Sequence, residues 1–436
     1  MVEPIVIARA DHPISRDQID PDALKVLHRL RKFNHQAYLV GGGVRDLLLG
    51  RAPKDFDIGT SAHPNEVKRI FRNCWIIGRR FRLAHVKFGQ KTIEVATFRR
   101  QVPPDELAAA EAEDERAAKA RTAAGATAQR RPIRRDNTFG TAEEDAFRRD
   151  FTINALFYDI ATFSVIDYVG GMQDLQERII RSIGDPNERF IEDPVRMLRA
   201  VAFTARLGFR LDPLVQRAIK RHKEEIAKAS PARMIEELYK ILRGGFAAPT
   251  FRSLSEHGLL APIAPEVERR KTGSLWRSLE TLDSYRKKSE SPPETLTNPM
   301  LLGSLVQPVQ PLDLTPRRRD DKRPIDVRLG ELPVARRDVE RLRQALQLQP
   351  RLQDPELGPR GQRAVMHRGA FTDALAWLEI HGDDSESLER WRTLLDAGGP
   401  VPTTAKRRRR RPRRRKAVGQ HRSKTTDPET KSQDQS

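Results

Sequence analysis

The chain has 436 residues, with 80 Lys or Arg against 60 Asp or Glu and a net charge of +20. At about 150 residues per domain, this length has room for about three domains. It contains no run of about 18 apolar residues, which excludes a transmembrane helix, and its single cysteine, Cys74, excludes a disulfide framework and a Cys-based zinc site. One cysteine also fits a reducing, cytoplasmic setting, and Met1–Asp11 lacks the basic stretch and apolar core of a secretory signal. Ten of the eleven residues from Lys406 to Lys416 are basic, and residues 406–436 hold 13 basic and 3 acidic residues, half of the excess. Such a balance points to a polyanionic partner, most simply nucleic acid.

In chain order, residues 1–19 read as a short extended leader. Asp20-Pro21 is a helix start, an acidic cap followed by a proline whose missing N–H costs nothing there, and the helix runs to about Phe33. Ala37-Tyr38-Leu39-Val40 reads as a buried strand ended by Gly41-Gly42-Gly43, followed by a short helix over 44–49. Strands are expected at 56–58, 75–77, 85–88, 92–97 and 165–168, with a helix over 64–71, which suggests an α+β sheet domain. Residues 103–131 are mostly Ala, Glu, Arg and Gly and read as a mobile insertion. Residues 147–157 have helical spacing. Further helices are expected at 172–177, 194–207, 213–227, 231–243 and 246–257, bundle-like, and again at 333–348, 361–380 and 385–397. Residues 285–332 read as partly disordered and residues 400–436 as a disordered basic tail. Trp276, Trp377 and Trp391 read as core residues.

The chemistry concentrates in Val40-Gly41-Gly42-Gly43-Val44-Arg45-Asp46 and Lys54-Asp55-Phe56-Asp57. Glycines at the end of a strand let backbone N–H groups approach an anion, with a helix end behind them. Arg45, one turn in, would reach the same anion or pair with Asp46. Asp55 and Asp57, two apart on a strand, would point to one face. Paired carboxylates of this kind suit Mg2+ or Mn2+. Glu94, inside the apolar run Ile93-Glu94-Val95-Ala96, reads as a buried charge and a candidate third ligand; pairing with Arg99 is the alternative. Together these are the equipment of two-metal phosphoryl transfer.

The run Leu39–Gly50 with Asp55-Phe56-Asp57 resembles the head motif of the nucleotidyltransferases related to DNA polymerase β. More narrowly, it resembles the group of bacterial poly(A) polymerases and tRNA CCA-adding enzymes. Arg148–Leu156 and Glu192–Ala200 are similar to two further motifs of that group, and weaker similarity continues through Ala232–Leu238. The resemblance implies a fold of α+β class, with a mixed-sheet head at 20–170, a helical neck at 171–265, a helical body at 266–399 and a tail at 400–436. It implies that Gly41, Gly42 and Arg45 hold the triphosphate and that Asp55 and Asp57 hold two metal ions. Arg149, Asp150 and Asn154 would lie around ribose and phosphates, with either Asp150 or Glu94 completing the metal site. Glu192, Asp193, Arg196 and Arg199 are expected on one helix that reads the base. There, an Asp accepts from an exocyclic amine and an Arg donates to the neighbouring ring nitrogen. Adenine and cytosine both offer that pattern, so this motif does not separate them.

Gly78–Val86, with Arg79, Arg80 and Arg82, resembles the block that marks poly(A) polymerases within the group, as does the Arg-rich tail. The expectation is therefore a template-independent adenylyltransferase that extends RNA 3′ ends with ATP. RNA-decay proteins or RNA chaperones are its expected partners. A CCA-adding enzyme and a non-catalytic RNA-binding protein are the alternatives.

Overall fold

The computed structural model describes residues 3–78, 82–101, 138–289, 292–315 and 327–398. The expected mobile insertion at 103–131, Arg79, Arg80 and the tail at 400–436 lie outside these residues.

Eight strands form one sheet in the order β1-β8-β7-β2-β3-β6-β5-β4. They are β1 Ile5–Ile7, β2 Ala37–Val40, β3 Asp57–Thr60, β4 Cys74–Ile77, β5 Leu83–Phe88, β6 Lys91–Thr97, β7 Leu156–Asp159 and β8 Ser164–Asp167. β3 and β6 are parallel; every other neighbouring pair is antiparallel. The expected leader belongs to this sheet. The β-branched Ile5, Val6 and Ile7 pair with Asp167, Ile166 and Val165. Behind them, buried His12 uses both ring nitrogens, one on the Phe163 carbonyl at 2.9 Å and the other on the Ile14 N–H at 3.2 Å.

Helix Pro21–Lys32 starts as its sequence dictates, with the Asp20 carboxylate accepting from the N–H groups of Asp22 and Ala23. It and helix Pro64–Ile70 pack on the sheet face carrying Ile58, Val95, Ala84 and Val86. The opposite face, at β2 and β7, carries a small separate core of Val40, Phe98, Ala142, Ala146, Ala155, Phe157 and Ile183.

Residues 147–157 are not one helix. A helix Ala142–Phe147 ends there, a single 3-10 turn spans Thr152–Asn154, and β7 follows. The Ile153–Leu156 spacing imitates a helix because all four residues of β7 are buried, so the alternation of a half-exposed strand is absent.

The neck is helical: Gly171–Glu177, Pro186–Glu192, Val195–Leu207, Pro213–His222, Pro231–Arg243 and Ala247–Glu256. Of the stretch 285–332 expected to be partly disordered, the end of helix Gly273–Lys287 and helix Asn298–Val306 are regular, and residues 290–291 and 316–326 lie outside the described ones. Every residue from Pro299 to Val306 is buried, a helix apolar all round with no stripe to betray it. Helices Arg336–Leu352, Pro359–Met366, Phe371–His381 and Ser385–Asp396 complete the body, the expected 361–380 helix being broken at 367–370. Trp391 is wholly buried, whereas Trp276 and Trp377 pack on the core while partly exposed.

His381 supplies a pH-dependent element in this body. The Ser304 hydroxyl donates to Met300 O at 2.9 Å, so the 2.8 Å contact between Ser304 Oγ and His381 Nε2 has the imidazole as donor. The ring also lies 4.2 Å, centroid to centroid, from Trp377. Burial pushes its pKa down to about 4. The unfolded chain therefore takes up this proton first as pH falls, and stability drains away between about pH 6.5 and pH 4. Denaturation at pH 7.5 and pH 4.5 should show the wild type losing about 2–3 kcal/mol more than His381→Gln.

Candidate active site

β2 ends at Val40, and the chain turns through Gly41 into helix Gly42–Leu48. Gly41 has φ +72° and ψ −136°, a conformation that only glycine adopts without strain. Its N–H donates to Leu156 O at 3.3 Å, and a Cβ there would sit 3.1 Å from an Arg149 guanidinium nitrogen. At Gly43 a Cβ would press on the Asp55 carbonyl at 3.1 Å, so glycine lets the loop carrying Asp55 lie against the turn. Gly41→Ala should cost about 2 kcal/mol of strain and displace Arg149. Gly50→Ala, also at positive φ but with open space around it, should leave activity intact. Urea denaturation and initial rates of both variants check this.

Arg45 is buried under this turn and does not point outward. Its guanidinium donates to Asp46 Oδ1 at 2.9 and 2.7 Å and to Asn154 Oδ1 at 2.6 Å. Arg149, by contrast, is held from behind. Its Nε and one terminal nitrogen reach Asp145 Oδ2 at 3.2 and 2.8 Å, and the other reaches the Asn154 carbonyl at 3.1 Å.

Asp55 lies just before β3, not on it; Asp57 is the first residue of the strand. The Glu94 environment also differs from the expectation. In β6, Ile93, Val95 and Thr97 face the core while Glu94 faces out, half exposed. Among the described residues its side-chain oxygen lies 3.6 Å from His85 Nε2. Ile58 pairs with Val95, so Asp57 and Glu94 are neighbours on the open face.

Asp57 is solvent-accessible yet crowded by protein on several sides. That crowding, with repulsion from Glu94 and then Asp55, pushes its carboxyl up to about 6, and Arg149 pulls it partly back. Three acids sharing one field suit a divalent cation chemically. Among the described residues, however, no three of them already converge on one point. Asp55 and Glu94 are exposed, with Lys54 at 3.9 Å and His85 at 3.6 Å, so their side chains have room to turn inward.

Asp150 is committed elsewhere. One of its oxygens accepts from the Phe151 N–H at 2.9 Å and Asn154 Nδ2 at 3.2 Å, and the other accepts from Arg199 at 2.7 Å. Arg199 is the main cause holding its carboxyl below the usual range against the opposing effect of burial. The register thus sets Glu94 beside Asp57, while Asp150 is held by Arg199, Asn154 and the Phe151 N–H.

Glu192, Asp193, Arg196 and Arg199 do not share one helix. Glu192 ends Pro186–Glu192, Asp193 is the extended joint, and Arg196 and Arg199 begin Val195–Leu207. Pro194 forces this break, because the residue before a proline is driven out of helical geometry. Arg196 pairs with Glu192 at 2.6 Å, while Asp193 takes a two-pronged contact from Arg233 at 2.8 and 3.1 Å.

Three organisers were not foreseen. Arg233 steadies Asp193. Arg189, buried, donates to the carbonyls of Arg148 and Arg149 at 2.8 and 2.6 Å. Arg206 joins Asp46 at 3.1 Å. With Arg199 on Asp150, Arg206 docks the neck helix onto the head at both ends, and Phe203 lies between, its ring 5.4 Å from Arg45 and 5.5 Å from Arg199. Of the three, only Arg233 fell within a stretch carrying the family resemblance, at Ala232–Leu238.

Known proteins match this arrangement. A family model described as "Poly A polymerase head domain" matches residues 37–181. Another, "Probable RNA and SrmB- binding site of polymerase A", matches residues 208–270. Poly(A) polymerase I of Salmonella typhi is 51% identical over 264 residues, 61% of this chain and 54% of that protein. A CCA-adding enzyme of Bacillus velezensis is 37% identical over 241 residues, 55% of each. The chain thus spans about half the length of the curated relatives it matches. The crystal structure of Bacillus stearothermophilus CCA-adding enzyme in complex with CTP has a TM-score of 0.56 at 26% identity, covering 87% of this chain and 83% of that one. No helix among the described residues is long and apolar enough to cross a membrane. Residues 37–181 therefore match the family model of the poly A polymerase head domain, in a chain that shares the fold of a CCA-adding enzyme.

Proposed function

We propose that the protein is a template-independent adenylyltransferase that extends RNA 3′ ends with ATP. The carboxylates of Asp57, Glu94 and Asp55 beside the Gly41 turn carry the reaction type. The RNA 3′-oxygen forms a bond to the α-phosphorus of ATP, the bond from that phosphorus to the pyrophosphate oxygen breaks, and pyrophosphate leaves. Mg2+ or Mn2+, held by Asp55, Asp57 and Glu94, would lower the pKa of the attacking hydroxyl and neutralise the leaving group. The chain's own part is positioning and electrostatics. Gly41 and Gly42 keep Cβ atoms out of the phosphate path, Arg149 supplies positive charge at its edge, and buried Arg45 and Asn154 brace the turn. Asp193, steadied by Arg233, accepts from the exocyclic amine of the base, and Arg196 donates to the ring nitrogen.

The preference for ATP rests on the relatives, since identity to the proteins named Poly(A) polymerase I exceeds that to the CCA-adding enzymes. CCA addition is the second reading, favoured by the CTP-bound CCA-adding enzyme among the structures of the same fold. Incubating the full chain with tRNA lacking its 3′ end and with ATP, CTP or both separates the two. Long A tracts from ATP alone support adenylation, and synthesis that needs CTP and halts after three nucleotides overturns it.

A further inference from the structure

Among the described residues, β4, β5 and the Glu94 end of β6 are covered on one face only, while Phe98 covers the other face at Gly59 of β3. Helix Pro64–Ile70 packs on the side of Ala84, Val86 and Ile93. On the other side the register sets Asp57 beside Glu94, Glu94 beside His85, and His85 beside Trp75. At about 4.8 Å per strand, this row runs roughly 14 Å from the catalytic acids to the sheet edge. It ends on large side chains that a water-facing strand has no reason to carry. Trp75 is 51% exposed and Ile77 50%. Lys87 Nζ lies 5.3 Å from the centre of the Trp75 ring, a cation at the rim of an aromatic surface.

We propose that this open face is a stacking platform for RNA, on which Trp75 receives a base a few nucleotides upstream of the 3′ end. The proposal rests on the adenylyltransferase reading for its ligand. A row of about 14 Å spans about four bases stacked at 3.4 Å. Around Trp75 this face mixes Ile77 and Leu83 with His85, Lys87 and Thr92, an aromatic surface with a polar and cationic side of the kind a base and its phosphate take. Lys87 supplies the charge a backbone phosphate needs, in a chain of net charge +20. Trp75 is continuous with the catalytic acids along one sheet face, so a strand lying on it has its end at Asp57. Stacking is blind to base identity, which suits substrates of varied sequence.

The test is direct binding of a labelled ten-nucleotide oligo(A), and of an abasic oligomer with the same backbone, to the full chain in about 0.3 M salt, where charge-only binding fades. Trp75→Ala should weaken oligo(A) binding about tenfold, leave the abasic oligomer unchanged and be rescued by Trp75→Phe. The KM for a ten-nucleotide primer should rise similarly, with kcat and dinucleotide extension unaltered. Equal loss for both oligomers, or no loss, overturns the platform; the latter is also the result expected if another segment of the chain covers this face. Failure of adenylation while Trp75-dependent binding persists would overturn the adenylyltransferase reading and leave the RNA platform standing.

Discussion

Asp57→Asn is expected to lower the rate of AMP addition by about a thousandfold or more while leaving the fold intact. If Asp57 holds the divalent cations as proposed, its loss forfeits several kcal/mol of charge stabilisation, and each 1.36 kcal/mol is a factor of ten. The stability readout should move the other way. Crowding by the surrounding protein and the repulsion of Glu94 and then Asp55 push the Asp57 carboxyl up to about 6, so at neutral pH its charge opposes folding. A neutral Asn relieves that repulsion, and urea denaturation at pH 7.5 should find the variant as stable as the wild type or more so. A residue that destabilises its own fold is the pattern of a functional group. An Asp57→Asn protein that kept full activity would remove it from the machinery.

Asp150→Ala should damage both activity and stability. Its carboxylate is largely enclosed and joined to Arg199 at 2.7 Å, and deleting one partner strands the other's charge in a poorly solvated place. Such breaks cost about 3 kcal/mol or more. Among the described residues, the acid left to Arg199 is Glu237 at 3.6 Å, so little compensation is available. If Asp150 acts through Arg199, then Arg199→Ala should reproduce most of its loss of activity, and the double variant should lose far less than the two singles combined. An Arg199→Ala enzyme with normal activity, beside an inactive Asp150→Ala one, would instead make Asp150 a direct participant in the reaction.

The parts of this site that could be read from the sequence are those whose cause is local. A strand running into glycines, a helix with its cap, and two acids two residues apart are all signals within a dozen positions. What escaped depends on pairing between distant segments. Glu94 reads as a buried charge in isolation, and only its register with Asp57 and His85 shows it on the open face. Asp150 and Arg199 are 49 positions apart, Asp193 and Arg233 40, and Asp46 and Arg206 160. No periodicity marks such partners. Arg45 reads from its motif either as a phosphate contact or as a partner of Asp46, and in the structure it is buried against the Asp46 carboxylate and the amide of Asn154. Fully buried elements were misread for a related reason. β7 and helix Asn298–Val306 face protein on all sides, so neither shows the alternation or stripe from which an element is inferred.

The arrangement also explains why the neck helix, and not the head alone, belongs to the site. Arg199 and Arg206 lie seven residues apart on one helix and grip Asp150 and Asp46, acids from separate parts of the head motif. Phe203, one turn after Arg199, fills the space between Arg199 and Arg45. Asp193 and Arg196, proposed to read the base, lie at the start of that helix.

The most direct test of the central claim is a product balance. The full chain is mixed with an unstructured RNA primer, ATP and Mg2+, and pyrophosphate release is measured together with AMP joined to the 3′ end. The account predicts one pyrophosphate for each AMP added, dependence on a free 3′-hydroxyl, and no reaction in the Asp55→Ala/Asp57→Ala protein. RNA binding without any AMP transfer, or transfer that persists in that double variant, would contradict it.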